Sequence, residues 1–166
     1  MMLIRTIICL SILLLTACGF HLRGEVGMPF KTLYLQAPNQ SSPFVVDLRR
    51  NLAANHVRFV TTPEQAEVIL DIASEMPEKQ ILTLGGSGRV NEFQLRYRVA
   101  MRAYDLNKNV WIPAEEMIIR RDYSYDDTKI LAKESEEAML YQSMRTDMVQ
   151  QLIRRLSRAK PVPEAD

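Results

Sequence analysis

Polar and apolar positions alternate most strictly over residues 92–104. Phe93, Leu95, Tyr97, Val99, Met101 and Ala103 fall on one side, and Gln94, Arg96, Arg98 and Arg102 on the other. A period of two sends successive side chains to opposite faces, so this segment is predicted to be a long, half-buried strand. Asp105-Leu106-Asn107-Lys108-Asn109 supplies turn chemistry, and 110–125 reads as the returning strand of a hairpin, with Pro113 marking an early bulge or an edge position. Beyond Asp126-Asp127-Thr128, which can cap a helix, neither glycine nor proline occurs until Pro161. Ala138, Tyr141, Met144, Met148, Leu152 and Leu156 recur every three or four residues there, with Val149 and Ile153 widening the stripe. That spacing predicts an amphipathic helix of about seven turns.

Upstream, 32–36 is a short strand candidate ended by Pro38-Asn39. Ser42-Pro43 then offers a cap followed by proline at the first helical position, and Phe44, Val45, Leu48 and Leu52 keep helical spacing. A helix of about three turns ending near Asn55 follows. Residues 57–60 suggest a brief edge strand, and 67–75 a strand with Val68, Leu70 and Ile72 on one face. Two helices and roughly four strands predict an α+β two-layer sandwich, the helices packed on one face of a mainly antiparallel or mixed sheet. Residues 18–159 form its single domain, and the other sheet face is left uncovered. The tail 160–166 is expected to be disordered, because two prolines among small and charged residues neither pack nor form ladders.

The amino terminus has a different character. Arg5 precedes an apolar stretch over 7–15, broken only by Ser11, and small residues follow, the layout of a secretory signal peptide. The run over 7–17 is about half the 20 or so apolar residues that a spanning helix needs. Leu15-Thr16-Ala17-Cys18 resembles the lipobox of bacterial lipoproteins. The resemblance implies a diacylglycerol on the Cys18 thiol, cleavage that removes 1–17, and acylation of the freed amine. Cys9, the only other cysteine, leaves with the leader, so the mature chain has no disulfide partner for Cys18. One acyl chain binds a bilayer marginally, whereas two or three hold it. Gly19 stands where lipoproteins retained in the inner membrane carry Asp, which implies the outer membrane.

About 149 residues remain, a usual size for one domain with one core. Removal of Arg5 takes the formal charge from +1 to 0, so no net charge calls for nucleic acid or an anionic surface. Any basic function must come from local arrangement. Catalytic chemistry is nearly absent. His21 and His56, 35 residues apart, do not form a His pair at metal-ligand spacing, and no serine sits in a nucleophile elbow. Glu115-Glu116, Asp126-Asp127 and Glu136-Glu137 are adjacent pairs whose side chains point apart. Gly85-Gly86-Ser87-Gly88 lacks the lysine and helix of a phosphate loop and reads as a flexible connection. The expectation is a non-enzyme without a cofactor, apart from covalent lipid on Cys18. On the uncovered face, Arg96, Arg98 and Arg102 share one strand, alternate residues being about 7 Å apart. Such a row is either solvated charge or a surface that meets an acceptor-rich partner, for which arginine's planar fork suits bidentate contact.

Three blocks carry a family resemblance. Cys18-Gly19-Phe20-His21-Leu22-Arg23 resembles the mature start of the LPS-assembly lipoproteins (the LptE family, formerly rare lipoprotein B). Glu92-Phe93-Gln94-Leu95 opens the long strand, and Leu131-Ala132-Lys133-Glu134 leads to Gln151-Leu152-Ile153-Arg154-Arg155-Leu156, in the family's order. The resemblance implies a plug within the LptD outer-membrane β-barrel that assists barrel folding, binds lipopolysaccharide and helps place it in the outer leaflet. It also implies lipopolysaccharide contacts from basic residues near the strand connection and the start of the last helix. Lys133 carries over directly. Glycine stands where the family's arginine would be, and Arg89, three residues away, is the substitute. Two other readings stay open on the residues alone: an outer-membrane adaptor of the secretin-pilot kind without affinity for lipid A, and a periplasmic carrier of a small apolar ligand, which needs an internal cavity.

Overall fold

The computed structural model describes residues 27–163. The lipobox and Cys18 lie outside them. The order is β1 (Thr32–Gln36), α1 (Pro43–Ala54), β2 (Arg58–Phe59), β3 (Val68–Leu84), β4 (Val90–Tyr104), β5 (Asn109–Ser124), α2 (Ile130–Arg158) and β6 (Val162–Pro163). The sheet has six strands rather than four, in the order β2-β1-β3-β4-β5-β6. β1 runs parallel to β2 and β3, and the remaining pairs are antiparallel. The two additional members are the two-residue edges: β2 falls within the segment expected as an edge strand, and β6 lies in the segment expected to be an unpacked tail. Val162 and Pro163 instead pair with Val110 and Asn109. A sheet edge accepts proline, which has no N–H to offer.

Local chemistry sets the helix starts. The Ser42 hydroxyl accepts the Val45 N–H at 3.2 Å, Pro43 occupies the first turn, and Phe44, Val45, Leu48 and Leu52 are buried. The cap at 126–128 works one step earlier than expected: Asp126 caps a 3-10 turn over Asp127–Lys129, from which α2 continues. Both helices pack on the face of Leu95, Tyr97, Val99 and Met101, forming one core. The stripe of α2 is buried only from Met144 onward; Ala138 is exposed and Tyr141 half-buried. The first turns of α2 overlie a part of the sheet that β1 and α1 do not reach, so less apolar surface is available beneath them.

The largest departure from expectation is β3, 17 residues long and continuing past residue 75 through Pro77 to Leu84. β1 stops opposite Asp71, so beyond it β3 has one free edge, where a missing N–H breaks no ladder. An extra residue at Ala73 bulges the strand between the Ile72–Met101 and Ser74–Ala100 pairs. A second bulge places Pro113 and Ala114 opposite Arg102, in line with the reading of Pro113. The result is a long β3–β4 hairpin projecting beyond the core, its turn closed by Gly85 N–H to the Arg89 carbonyl at 2.7 Å and Gly88 N–H to the Gly85 carbonyl at 2.9 Å. Gly88 has φ +77°, a conformation that favours glycine.

Candidate functional site

The hairpin turn and the start of α2 meet at one end of the molecule. Tyr125 N–H donates to the Asn91 carbonyl at 2.7 Å, fastening the end of β5 beside the start of β4. Arg89 and Lys133, 44 residues apart in the sequence, are thereby brought to the same end. The Arg89 guanidinium is 74% exposed and pairs loosely with Asp127 at 3.5 Å. Lys133 is more enclosed, its ammonium donating to Glu136 at 2.8 Å and to the Ser124 hydroxyl at 3.3 Å. Exposed ion pairs are worth about 0–1 kcal/mol, so the carboxylate beside Arg89 holds the guanidinium only weakly. Around these cations the chain exposes Ile81, Leu82 and Leu84 on the hairpin and Ile130 and Leu131 on the helix. Cations beside exposed apolar side chains fit a ligand that is both anionic and lipidic.

A half-buried polar cluster, which no sequence pattern announced, holds this end in place. Glu137 on α2 accepts Lys79 Nζ from β3 and the Tyr123 hydroxyl from β5, the latter at 2.6 Å. The Lys79 ammonium also lies 4.2 Å from the Phe93 ring centroid, and Phe93 stacks on Tyr123 at 5.8 Å. The Tyr141 hydroxyl donates to the Glu78 carbonyl at 2.8 Å. Burial pushes the Tyr123 phenol up to about 12, and its bond to Glu137 adds to the shift. For Glu137, burial raises the pKa, but the bonds from Lys79 and Tyr123 outweigh it and hold the carboxyl below its usual range.

The uncovered sheet face carries Arg96, Arg98 and Arg102, as the alternation required, but not as a row of free cations. Arg98 pairs with Glu78 at 2.9 Å and lies 3.8 Å from Glu116. Arg102 pairs with Asp71 at 3.0 Å and lies over the Tyr104 ring. Arg96 donates to Gln94 at 2.8 Å, and Gln94 donates to Asp122 at 2.9 Å. The acids come from β3 and β5, and the distal part of β3 that supplies Glu78 was not expected to be strand. Arg120, opposite Arg96, is exposed on the same face and has no acidic partner among the described residues. The alternation of buried Met117 and Ile119 with Ile118 and Arg120 was its sequence signal. This face is mainly polar, with Met76 and Ile118 exposed on either side of Arg98, and is not crossed by either helix.

A model of the lipopolysaccharide-assembly family LptE matches residues 30–156. The LPS-assembly lipoprotein LptE of Pectobacterium atrosepticum is 26% identical over 155 residues, covering 89% of this chain and 80% of that protein. Its counterpart in Yersinia enterocolitica is 28% identical over 150 residues, covering 89% and 72%. Among solved structures, a lipoprotein B from Nitrosomonas europaea has a TM-score of 0.72 at 38% identity over 84% of this chain and 90% of that one. The rare lipoprotein B of Shewanella oneidensis has a TM-score of 0.67 at 25% identity over 75% and 92%.

Proposed function

Because this chain belongs to the LptE family of lipopolysaccharide-assembly proteins, we propose that it is a non-enzymatic outer-membrane lipoprotein, anchored through Cys18, that plugs and helps assemble an LptD-type β-barrel and takes part in delivering lipopolysaccharide to the outer leaflet. The observation that carries this reading is the hairpin end. Arg89 and Lys133 converge there among exposed Ile81, Leu82, Leu84, Ile130 and Leu131. Lipopolysaccharide offers the complementary pair of features, phosphates for the cations and acyl chains for the apolar rim. The cations position the head, while the surrounding apolar side chains shelter the proximal methylenes from water.

The polar sheet face supports the barrel half of the proposal. A wide outer-membrane barrel has a polar interior, and a plug must present polar groups to it without burying uncompensated charge. The internally paired arginines meet that requirement, and Arg120 remains available for an acceptor on the wall.

Lipopolysaccharide titration of the mature protein tests the ligand half. Arg89→Glu and Lys133→Glu should each weaken binding by about tenfold at low salt, with the difference shrinking as salt rises. Unchanged affinity in both variants removes this end as the binding site.

A further inference from the structure

The opposite end of the domain carries a second cluster of cations, which the proposed site does not use. α2 runs antiparallel to β5: Glu137 meets Tyr123, Asp147 meets Arg121 and Arg155 meets Glu115. The carboxyl end of α2 therefore lies beside the β4–β5 turn. Arg154 and Arg158 line an open groove of about 490 Å³ with Trp111 and Pro113. Across the turn, Lys108 and Leu106 line another of about 530 Å³. Lys160 follows, also exposed.

Among the described residues, the acids nearby are already engaged. Glu115 is paired with Arg155. The Asp105 carboxylate accepts N–H groups from Asn107, Asn109 and Trp111 within its own turn. Arg154, Arg158, Lys108 and Lys160 have no acidic partner among the described residues. The helix dipole accounts for a cation in the last turn of α2, such as Arg158, but not for Lys108 on a β-turn or for Leu106, 55% exposed at its apex.

The chain enters the fold at this same end. Phe30, three residues after Gly27, packs edge-on against Trp111 at 5.7 Å. Eight residues separate Gly27 from Cys18, so the nine steps between them reach at most about 30 Å. The 29 residues of α2 span about 43 Å, so the Arg89–Lys133 end is the far one.

We infer that this end docks on the membrane leaflet that holds the anchor, with Arg154, Arg158, Lys108 and Lys160 binding phosphates of anionic phospholipids and Leu106 entering the headgroup layer. The inference rests on the lipid-anchor reading of Cys18 for its geometry. Its consequence is attachment: the acyl chains and the basic end hold the same end of the domain at the headgroups, and the hairpin end stays free of them. Each cation near an anionic surface contributes about 1 kcal/mol, so the cluster strengthens attachment and falls off with salt.

The test uses the mature chain with Cys18→Ala, which removes the acyl contribution, and vesicles of phosphatidylethanolamine with or without about one-third phosphatidylglycerol. Salt-sensitive binding to the anionic vesicles alone is expected. Arg154→Gln with Arg158→Gln should weaken it about 30-fold, while Arg50→Gln on α1 leaves it unchanged. Equal binding to both vesicle types, no binding, or an unaffected double variant overturns the inference, as does a double variant that binds vesicles normally but loses association with the barrel. Palmitate labelling of the unaltered protein is read separately. An unlabelled Cys18 defeats the anchor reading and leaves the vesicle result interpretable.

Discussion

Replacing Glu137 by alanine tests whether a polar cluster, rather than apolar packing, holds the first turns of α2 on the projecting hairpin. The carboxylate accepts two hydrogen bonds, from Lys79 and Tyr123, and its side chain is 22% exposed against 34% for Lys79. Charge-assisted bonds contribute about 1.5–3 kcal/mol each when buried; discounted for solvent access, each contributes about 1 kcal/mol here. Glu137→Ala should then destabilise the domain by about 2 kcal/mol, and Lys79→Met, which keeps the alkyl stem over Phe93, by about 1 kcal/mol. Urea unfolding of both single variants and the double variant should give a coupling of about 1 kcal/mol with an unchanged slope. Depression of the Glu137 pKa means its contribution is complete above the usual carboxylate range and lost as pH falls through the lowered value. For Lys79, burial lowers the pKa but the bonds to Glu137 and Tyr123 more than compensate and raise it. Its contribution is therefore complete below the usual lysine range and lost as pH rises through the raised value. The coupling should be flat across neutral pH and decline at both extremes. A coupling within about 0.3 kcal/mol of zero refutes the reasoning, because additive losses mean that the groups do not act together.

Two further outcomes follow from local chemistry. Partial burial of Asp105 opposes its ionisation, but bonds from Asn109, Trp111 and Asn107 outweigh this and lower its pKa, so Asp105→Ala should cost about 1 kcal/mol at neutral pH and progressively less as acid protonates the wild-type carboxyl, measured by thermal unfolding against pH. Ser42→Ala removes the cap on Val45 N–H at a buried helix start and should cost about 1 kcal/mol in urea unfolding, with Ser42→Gly losing less.

Periodic elements of this fold were legible because one buried face repeats along them. The alternation over 92–104 identified both the strand and its covered face, and Ser42-Pro43 located the start of α1. The distal part of β3 was not legible: Met76-Pro77-Glu78-Lys79 has a proline and no apolar period, and its strand conformation comes from pairing with β4. The pairing of the arginine row depends on the same register, since Glu78 and Glu116 lie on different strands and meet Arg98 only through it. β6 is two residues long and is fixed by Asn109 and Val110, far away in sequence. The proximity of Arg89 to the start of α2 is likewise a tertiary fact, fastened by Asn91 and Tyr125. Local pattern named the residues of the candidate site only through family resemblance, and the topology brought them to one end.

The most direct test of the plug is photo-crosslinking in living cells from a probe at position 120, the exposed and acid-free cation site on the uncovered sheet face. A covalent adduct with a large outer-membrane β-barrel, identified by mass, is expected. Folded protein in the outer-membrane fraction whose probe gives no barrel adduct, or captures only a non-barrel assembly, contradicts it.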